Sequence, residues 1–288
     1  MSDRSMPLLE RRRGNEVEES SSSYVRVRDL RKVFLGSKAG IFRRTWFETT
    51  EALSGIDLDI KQGEFVSIVG GSGSGKTTLL NVIGGLDTAS SGSVQVSGQE
   101  VSGRPPARAA MVFQEVGLLP WKTVIENCLL GPELKRGMRR RVTRDERRDA
   151  LQHLDVAGLS HVRDSYPSQL SGGMRQRVGI VRALVTRPEM LLMDEPFGAL
   201  DAQTRLVLQM ELLRLLQEYE ATVLFVTHDV EEAIYLSDRV VVLGRPPQGI
   251  LQIYDVDIPK PRWEGHVRGS AKFQELRVSI LEDLGLHD

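Results

Sequence analysis

Gly70-Gly71-Ser72-Gly73-Ser74-Gly75-Lys76-Thr77 fits G-x-x-x-x-G-K-[ST], the pattern of a loop that cradles phosphates. The run before it, Phe65-Val66-Ser67-Ile68-Val69, is short, apolar and β-rich, which predicts a buried strand. After it, Thr78-Leu79-Leu80-Asn81-Val82-Ile83 spaces apolar residues at helical intervals. Strand, loop and helix therefore follow in the order such a loop requires. Glycines at 70, 71, 73 and 75 let the backbone bend so that successive N–H groups point inward, and the helix N-terminus adds partial positive charge. The anion expected there is a triphosphate, with Ser72, Ser74 and Thr78 part of its cradle. Lys76 reaches the β- and γ-phosphates as a point charge, and the Thr77 hydroxyl is a ligand for Mg²⁺.

The 288 residues suffice for one large domain or two lobes, and 40% hydrophobic composition supports a globular core. A net charge of −1 leaves no global basic field, so nucleic acid is not an expected partner. Cys128 is the one cysteine, which excludes an intrachain disulfide framework and fits a reducing compartment. No apolar run approaches the roughly 20 residues of a membrane-spanning helix, so a membrane role has to come through a partner.

Residues 1–23, with Arg11-Arg12-Arg13, acidic residues and a run of four serines from Ser20 to Ser23, read as a disordered tail. Tyr24 to Leu30 alternates like an edge strand, and Leu35 to Thr49 reads as a loop carrying Phe42, Trp46 and Phe47 before a strand resumes near Ile56 to Ile60. Ala109 to Phe113 is another buried strand candidate, with Gln114 at its end. From about 115 to 178 helical patterns replace strands, which predicts an inserted α-helical subdomain; Thr143-Arg144-Asp145-Glu146 is a capping box within it. Its cluster of arginines between Arg136 and Arg148 reads as a solvated helix face, since Asp145 and Glu146 interleave and no aromatic platform accompanies it. Beyond this, strands alternate with helices, so the fold is α/β with a mainly parallel sheet, an antiparallel β edge and sites at strand C-terminal ends. The unit spans 24–245, and 246–288 forms an extension whose Phe273, Leu276, Ile280, Leu281 and Leu284 share one helical face, with Gly285 ending the helix.

Met190-Leu191-Leu192-Met193-Asp194-Glu195 is an apolar strand ending in two carboxylates. Asp194 is placed to hold the metal and Glu195 to polarise an attacking water, while Lys76 stabilises charge on the transferring phosphoryl group. His228 directly follows the strand Ala221 to Val226 as Thr227-His228-Asp229, at the same sheet edge, within reach of a γ-phosphate. Leu170-Ser171-Gly172-Gly173-Met174-Arg175-Gln176-Arg177 is a second anion-binding helix start, with Ser171 as N-cap. One phosphate site does not need two such helices, so a symmetric dimer, each protomer closing the other's ATP, is the economical arrangement.

The ordered set of P-loop, Gln114, Leu170 to Gln176, Asp194-Glu195, Ala199-Leu200-Asp201 and His228 resembles the nucleotide-binding subunits of ABC transporters, from about Tyr24 to Leu243. The resemblance implies a P-loop NTPase core and an ATPase that dimerises on ATP. It implies that Ser171, Gly172 and Gly173 bind the γ-phosphate across the dimer, that Gln114 links Mg²⁺ and water to the helical subdomain, that Asp201 joins the two sites and that His228 is the switch histidine. Phe34 matches the adenine-stacking aromatic, with Trp46 or Phe47 as substitutes. A finer resemblance, to importers of the nitrate/sulfonate/taurine type, rests on Phe113-Gln114-Glu115, Leu118-Leu119-Pro120-Trp121, Thr123-Val124, Glu126-Asn127 and Ile258-Pro259-Lys260-Pro261-Arg262. It implies a membrane permease docked near Leu118, Leu119 and Trp121, a solute-binding protein outside the cell, and a peripheral position on the cytoplasmic membrane face. Core packing competes with docking for Trp121. Alternatives are a soluble ABC ATPase acting on nucleic acid or ribosomes, and an ABC exporter subunit.

Overall fold

Alternate residues of each central strand feed two different cores, and this organises the computed structural model, which describes residues 23–39, 45–135, 142–198, 200–217 and 220–286. The strands are β1 (Ser23–Ala39), β2 (Thr45–Lys61), β3 (Phe65–Val69), β4 (Ser91–Val96), β5 (Gln99–Glu100), β6 (Ala109–Val112), β7 (Met190–Asp194), β8 (Thr222–Val226), β9 (Arg239–Leu243) and β10 (Ile250–Asp255). One sheet has the order β10-β9-β3-β8-β7-β6, parallel from β9 to β6 with β10 antiparallel at the edge; the other, β2-β1-β4-β5, is antiparallel. Val66 and Ile68 of β3, Leu192 of β7 and Leu224 of β8 face the antiparallel sheet and α1 (Lys76–Ile83). Phe65 and Val69, Leu191 and Met193, Val223 and Phe225 face the opposite helical layer. A strand covered on both faces reads as a continuous apolar run, and for that reason β3, β7 and β8 are legible in the sequence.

The helical region holds α2 (Val124–Cys128), α3 (Leu130–Lys135) and α4 (Arg144–Val156), followed by α5 (Gly172–Leu184). Val124, Cys128, Ala150, Leu154, Val178 and Val181 form its own core. Helix α5 joins this core to the main one, because Ile180 and Leu184 face the sheet. The Thr143 capping box is present, with Thr143 N donating to Glu146 Oε2 at 2.8 Å. A second capping box, Thr123 with Glu126, starts α2.

Helices α6 (Ala202–Gln217) and α7 (Val230–Leu236) cover the sheet, and α8 (Ala271–Asp283) packs Phe273 and Ile280 into the same core. The C-terminal segment is fastened by Arg262, 2% exposed, whose guanidinium donates to the carbonyls of Ile234, Tyr235, Ser237, Val256 and Ile258. A cation at the C-terminal end of α7 also complements the helix dipole.

Three readings of the sequence are corrected. Tyr24 to Leu30 is no edge: β1 is hydrogen-bonded on both sides, to β2 and β4. Period-two alternation reports which face is buried, not how many strands flank the ladder. The expected loop from Leu35 to Thr49 is largely a continuation of the β1–β2 ladder, paired from Leu35↔Thr49 to Ala39↔Thr45. The side chains of Trp46 and Phe47 lie outside the described residues, as do residues 1–22, Phe42, residues 136–141 and Ala199. Strand β6 is only partly buried, because it is the outermost parallel strand, and Phe113 beyond it is 46% exposed.

Candidate active site

Strands β3, β8, β7 and β6 lie side by side, so the residues following them converge on one edge of the sheet. Ile68 pairs with Val226, Val226 with Asp194, and Val112 with Met193; this register sets the phosphate loop, Thr227-His228, Asp194-Glu195 and Gln114 in a row. A cleft of about 510 Å³ opens there, lined by Ser72, Gly73, Gly75, Lys76, Thr77, Thr78, Glu195 and His228 together with Thr50, Glu51 and Ala52 of β2. The β2 wall is not legible in the sequence, since nothing in Thr50-Glu51-Ala52 itself signals a ligand.

Within the loop the Lys76 ammonium rests on the carbonyls of Gly70 at 2.8 Å and Gly71 at 3.3 Å. Burial lowers its pKa below the ordinary lysine value, against the opposing pull of Glu195 and Asp194. Ser74 Oγ is buried without a hydrogen-bond partner. A buried ammonium in the cleft wall whose hydrogen bonds go to two loop carbonyls fits an anion as its missing partner. The loop's outer turn is held by Arg245, whose Nε donates to Ser72 O at 3.2 Å, a support that the reading of the sequence missed.

Thr77 Oγ1 donates to Asp194 Oδ1 at 3.0 Å, and Asp194 is 8% exposed with its pKa raised first by burial. One hydroxyl and one carboxylate beside a phosphate loop suit Mg²⁺, which binds through few protein oxygens plus phosphates and water. Glu195 follows at φ 42°, a left-handed conformation that a side chain rarely adopts, held by its N–H donating to Val226 O at 2.9 Å. Such strain persists where the surroundings enforce it, here turning the carboxylate over the cleft. Its Oε2 lies 3.2 Å from His228 Nδ1.

The remaining site residues do not line this cleft. Gln114 is exposed, two residues past Val112 and level with Glu195. Phe34 pairs across the ladder with Thr50 and so shares its face; it is 44% exposed, with Lys32 Nζ 4.8 Å from its ring centre. Ser171 caps α5 by accepting from Met174 N at 3.3 Å, and a Cβ added at Gly172 would meet nothing within 4 Å, so this is an open helix start away from the cleft. Asp201 Oδ1 accepts from Thr204 N at 3.0 Å, and these Thr204 bonds lower its pKa.

On the helical region Trp121 is 71% exposed, so core packing does not explain it, and Leu118 and Leu119 are half-buried. The turn bearing them is organised by Asn127, wholly buried, which accepts from Leu119 N at 2.8 Å and donates to the carbonyls of Leu119, Lys122 and Thr123. Among the described residues no helix is long and apolar enough to cross a membrane.

Residues 53–198 match the family model described as ABC transporter. An uncharacterized ABC transporter ATP-binding protein of Methanocaldococcus jannaschii is 48% identical over 81% of this chain and 84% of its own length. The aliphatic sulfonates import ATP-binding protein SsuB of Granulibacter bethesdensis is 47% identical over 84% of this chain and 92% of its own. The bicarbonate transport ATP-binding protein CmpC of Synechococcus elongatus is 47% identical over 80% of this chain, which spans only 34% of that protein. A dimeric ATP-binding cassette in a post-hydrolysis state with ADP and Pi superposes with a TM-score of 0.66 at 33% identity, over 82% of this chain and all of that one. With a phosphate loop, an acidic strand end and a following histidine gathered at one sheet edge, this chain belongs to the ABC transporter family, as an ATP-binding subunit with ATPase activity.

Proposed function

We propose that the chain energises an importer of a small solute, of the nitrate, sulfonate or taurine kind, through a separate membrane permease. The observation that carries this reading is the division of the site. The cleft holds the phosphate loop, Glu195 and His228, whereas the helix start at Ser171-Gly172-Gly173, open at Gly172 and packed on Thr204 at Gly173, lies outside it. Two copies related by a two-fold axis bring the Ser171 helix of each protomer to the γ-phosphate in the cleft of the other. Each ATP is then sandwiched, and its hydrolysis separates the copies.

In this reading Lys76 leaves its carbonyl partners for the β- and γ-phosphates, and Phe34 stacks on the adenine. Glu195 orients and polarises the attacking water, and His228 holds the γ-phosphate and the Glu195 carboxylate in register. Thr77 and Asp194, with Gln114, hold Mg²⁺, which when bound neutralises charge on the phosphate oxygens. Asp201 joins the two sites. Leu118, Leu119 and the exposed Trp121 form an apolar patch for a permease helix, which sets the chain on the cytoplasmic membrane face, served by a solute-binding protein outside. The unit at 24–245 performs the ATP chemistry, and 246–288 is its extension.

The test is retention of partners by tagged Glu195→Gln protein from detergent-solubilised native membranes, with and without ATP. A multi-spanning chain in stoichiometric amount is expected, with ATP binding preserved and turnover abolished. Near-normal turnover of this variant removes Glu195 from its role, and ribosomal or DNA-bound partners in place of a membrane chain overturn the transport reading.

A further inference from the structure

Side chains from the C-terminal extension, α6, α7 and the segment after β8 form a relay that starts at Arg268 and ends, buried, on the peptide after His228. Arg268 Nη2 donates to Gln209 Oε1 at 2.6 Å, and Gln209 Nε2 donates to Glu232 Oε1 at 2.8 Å. Glu232 Oε2 accepts the Thr227 hydroxyl, and Thr227 Oγ1 accepts from Asp229 N at 3.1 Å. Gln209, Thr227 and Glu232 are 1%, 2% and 3% exposed, so water does not compete for the bonds among them, while Arg268, its side chain 30% exposed, is the outer end.

The polarity of this chain is fixed at every step. A guanidinium has only N–H groups, so Gln209 must turn its oxygen to Arg268 and its amino group to Glu232. Glu232 accepts on both oxygens, bonds that oppose the rise in its pKa caused by burial. The Thr227 hydroxyl gives its proton to the bond with Glu232 and keeps only lone pairs for the Asp229 N–H. That N–H belongs to the peptide joining His228 to Asp229. Arg268 itself is anchored on α7, 4.5 Å from the Tyr235 ring and 3.4 Å from Glu231, which Arg277 Nε of α8 also approaches at 3.2 Å. The segment is tied on its other flank as well: Arg205 bridges Asp229 Oδ2 and Leu200 O, each at 3.2 Å, beside Asp201.

We infer that Arg268 is a positioning residue for hydrolysis, orienting the His228 segment through Gln209, Glu232 and Thr227; this rests on the role proposed for His228 above. Without the guanidinium the buried Gln209 oxygen loses its donor, and the amide is held only from its amino end, by Glu232. Gln209 then shifts to satisfy its oxygen elsewhere, Glu232 and Thr227 follow, and the peptide after His228 loses its fixed plane.

The experiment compares ATPase kinetics, ATP affinity and melting temperature of the full chain in wild type, Arg268→Met, Arg268→Lys, Thr227→Val, the double variant Arg268→Met/Thr227→Val, and His228→Ala. Methionine keeps an apolar stem over Tyr235 but removes the donors. Arg268→Met is expected to lower kcat about tenfold while KM and ATP affinity stay within about twofold, and Arg268→Lys to recover most of the loss. The double variant is expected to lose no more than the worse single one, because both cut the same chain. A kcat for Arg268→Met within about twofold of wild type, or losses that multiply in the double variant, overturns the relay while leaving the active-site reading intact. Wild-type turnover by His228→Ala instead refutes the role of His228, and the relay's function with it.

Discussion

Alanine at three glycines of the phosphate loop should produce three different losses of stability in the nucleotide-free protein. Gly75, the N-cap of α1, has φ +92°, and a Cβ there would lie 2.2 Å from Ala52 O and 2.8 Å from Leu53 Cδ2 of β2. The left-handed backbone costs alanine about 1–2 kcal/mol. Forcing β2 away adds an overpacking cost of about 1–3 kcal/mol. Together these give roughly 2–5 kcal/mol, which for a domain of this size lowers Tm by roughly 4–20 °C. Gly73, at φ +81° with nothing within 4 Å, meets the backbone cost alone, about 1–2 kcal/mol. Gly71 has neither a left-handed backbone nor an obstacle within 4 Å, so its change stays within about 0.5 kcal/mol. Urea and thermal unfolding of the three variants measure the series. Equal destabilisation by Gly71→Ala and Gly75→Ala, or a loss below about 1 kcal/mol at Gly75, would show that the loop does not rest on β2 as described.

Arg262→Met should destabilise the chain by about 3 kcal/mol or more, because five buried carbonyls lose their donor; unchanged urea unfolding would count against that fastening. Trp121→Ala should leave stability within about 0.5 kcal/mol, since the ring is 71% exposed, yet abolish retention of the membrane subunit; undiminished retention would place docking elsewhere. For Lys76 the pH dependence follows from its lowered pKa. Between that value and the unfolded lysine value the folded chain binds fewer protons than the unfolded one, so nucleotide-free stability rises with pH in this window. Bound phosphates restore the charge, so ATP binding takes up protons there and weakens as pH rises. Calorimetry in buffers of different ionisation enthalpy, at pH values stepped upward toward the ordinary lysine pKa, reads this uptake, and its absence would remove Lys76 from the phosphates.

The chemistry was largely legible because it is written in contiguous residues. Phe65–Val69 followed by the glycine loop names a strand, a turn and a helix, and Met190 to Glu195 names an apolar strand with acids at its end. What was missed depends on partners distant in the chain. Thr50 to Ala52 form a cleft wall only because β2 passes over α1. Asn127 looks like an ordinary helical residue until the 119–123 turn folds onto it. Arg268 lies 59 residues from Gln209, which lies 23 from Glu232.

The sequence by itself therefore determined the identity of the phosphate loop, the acidic strand end, the following histidine and the second helix start. Each is a local match between backbone conformation and side-chain chemistry. The order of the strands decided the rest. Setting β3, β8, β7 and β6 side by side assembles the cleft, flanking β1 on both sides turns an apparent edge into an interior strand, and packing the extension on α6 and α7 closes the relay. Hydropathy periodicity records which face of an element is buried. Which element covers that face is a property of the packed chain.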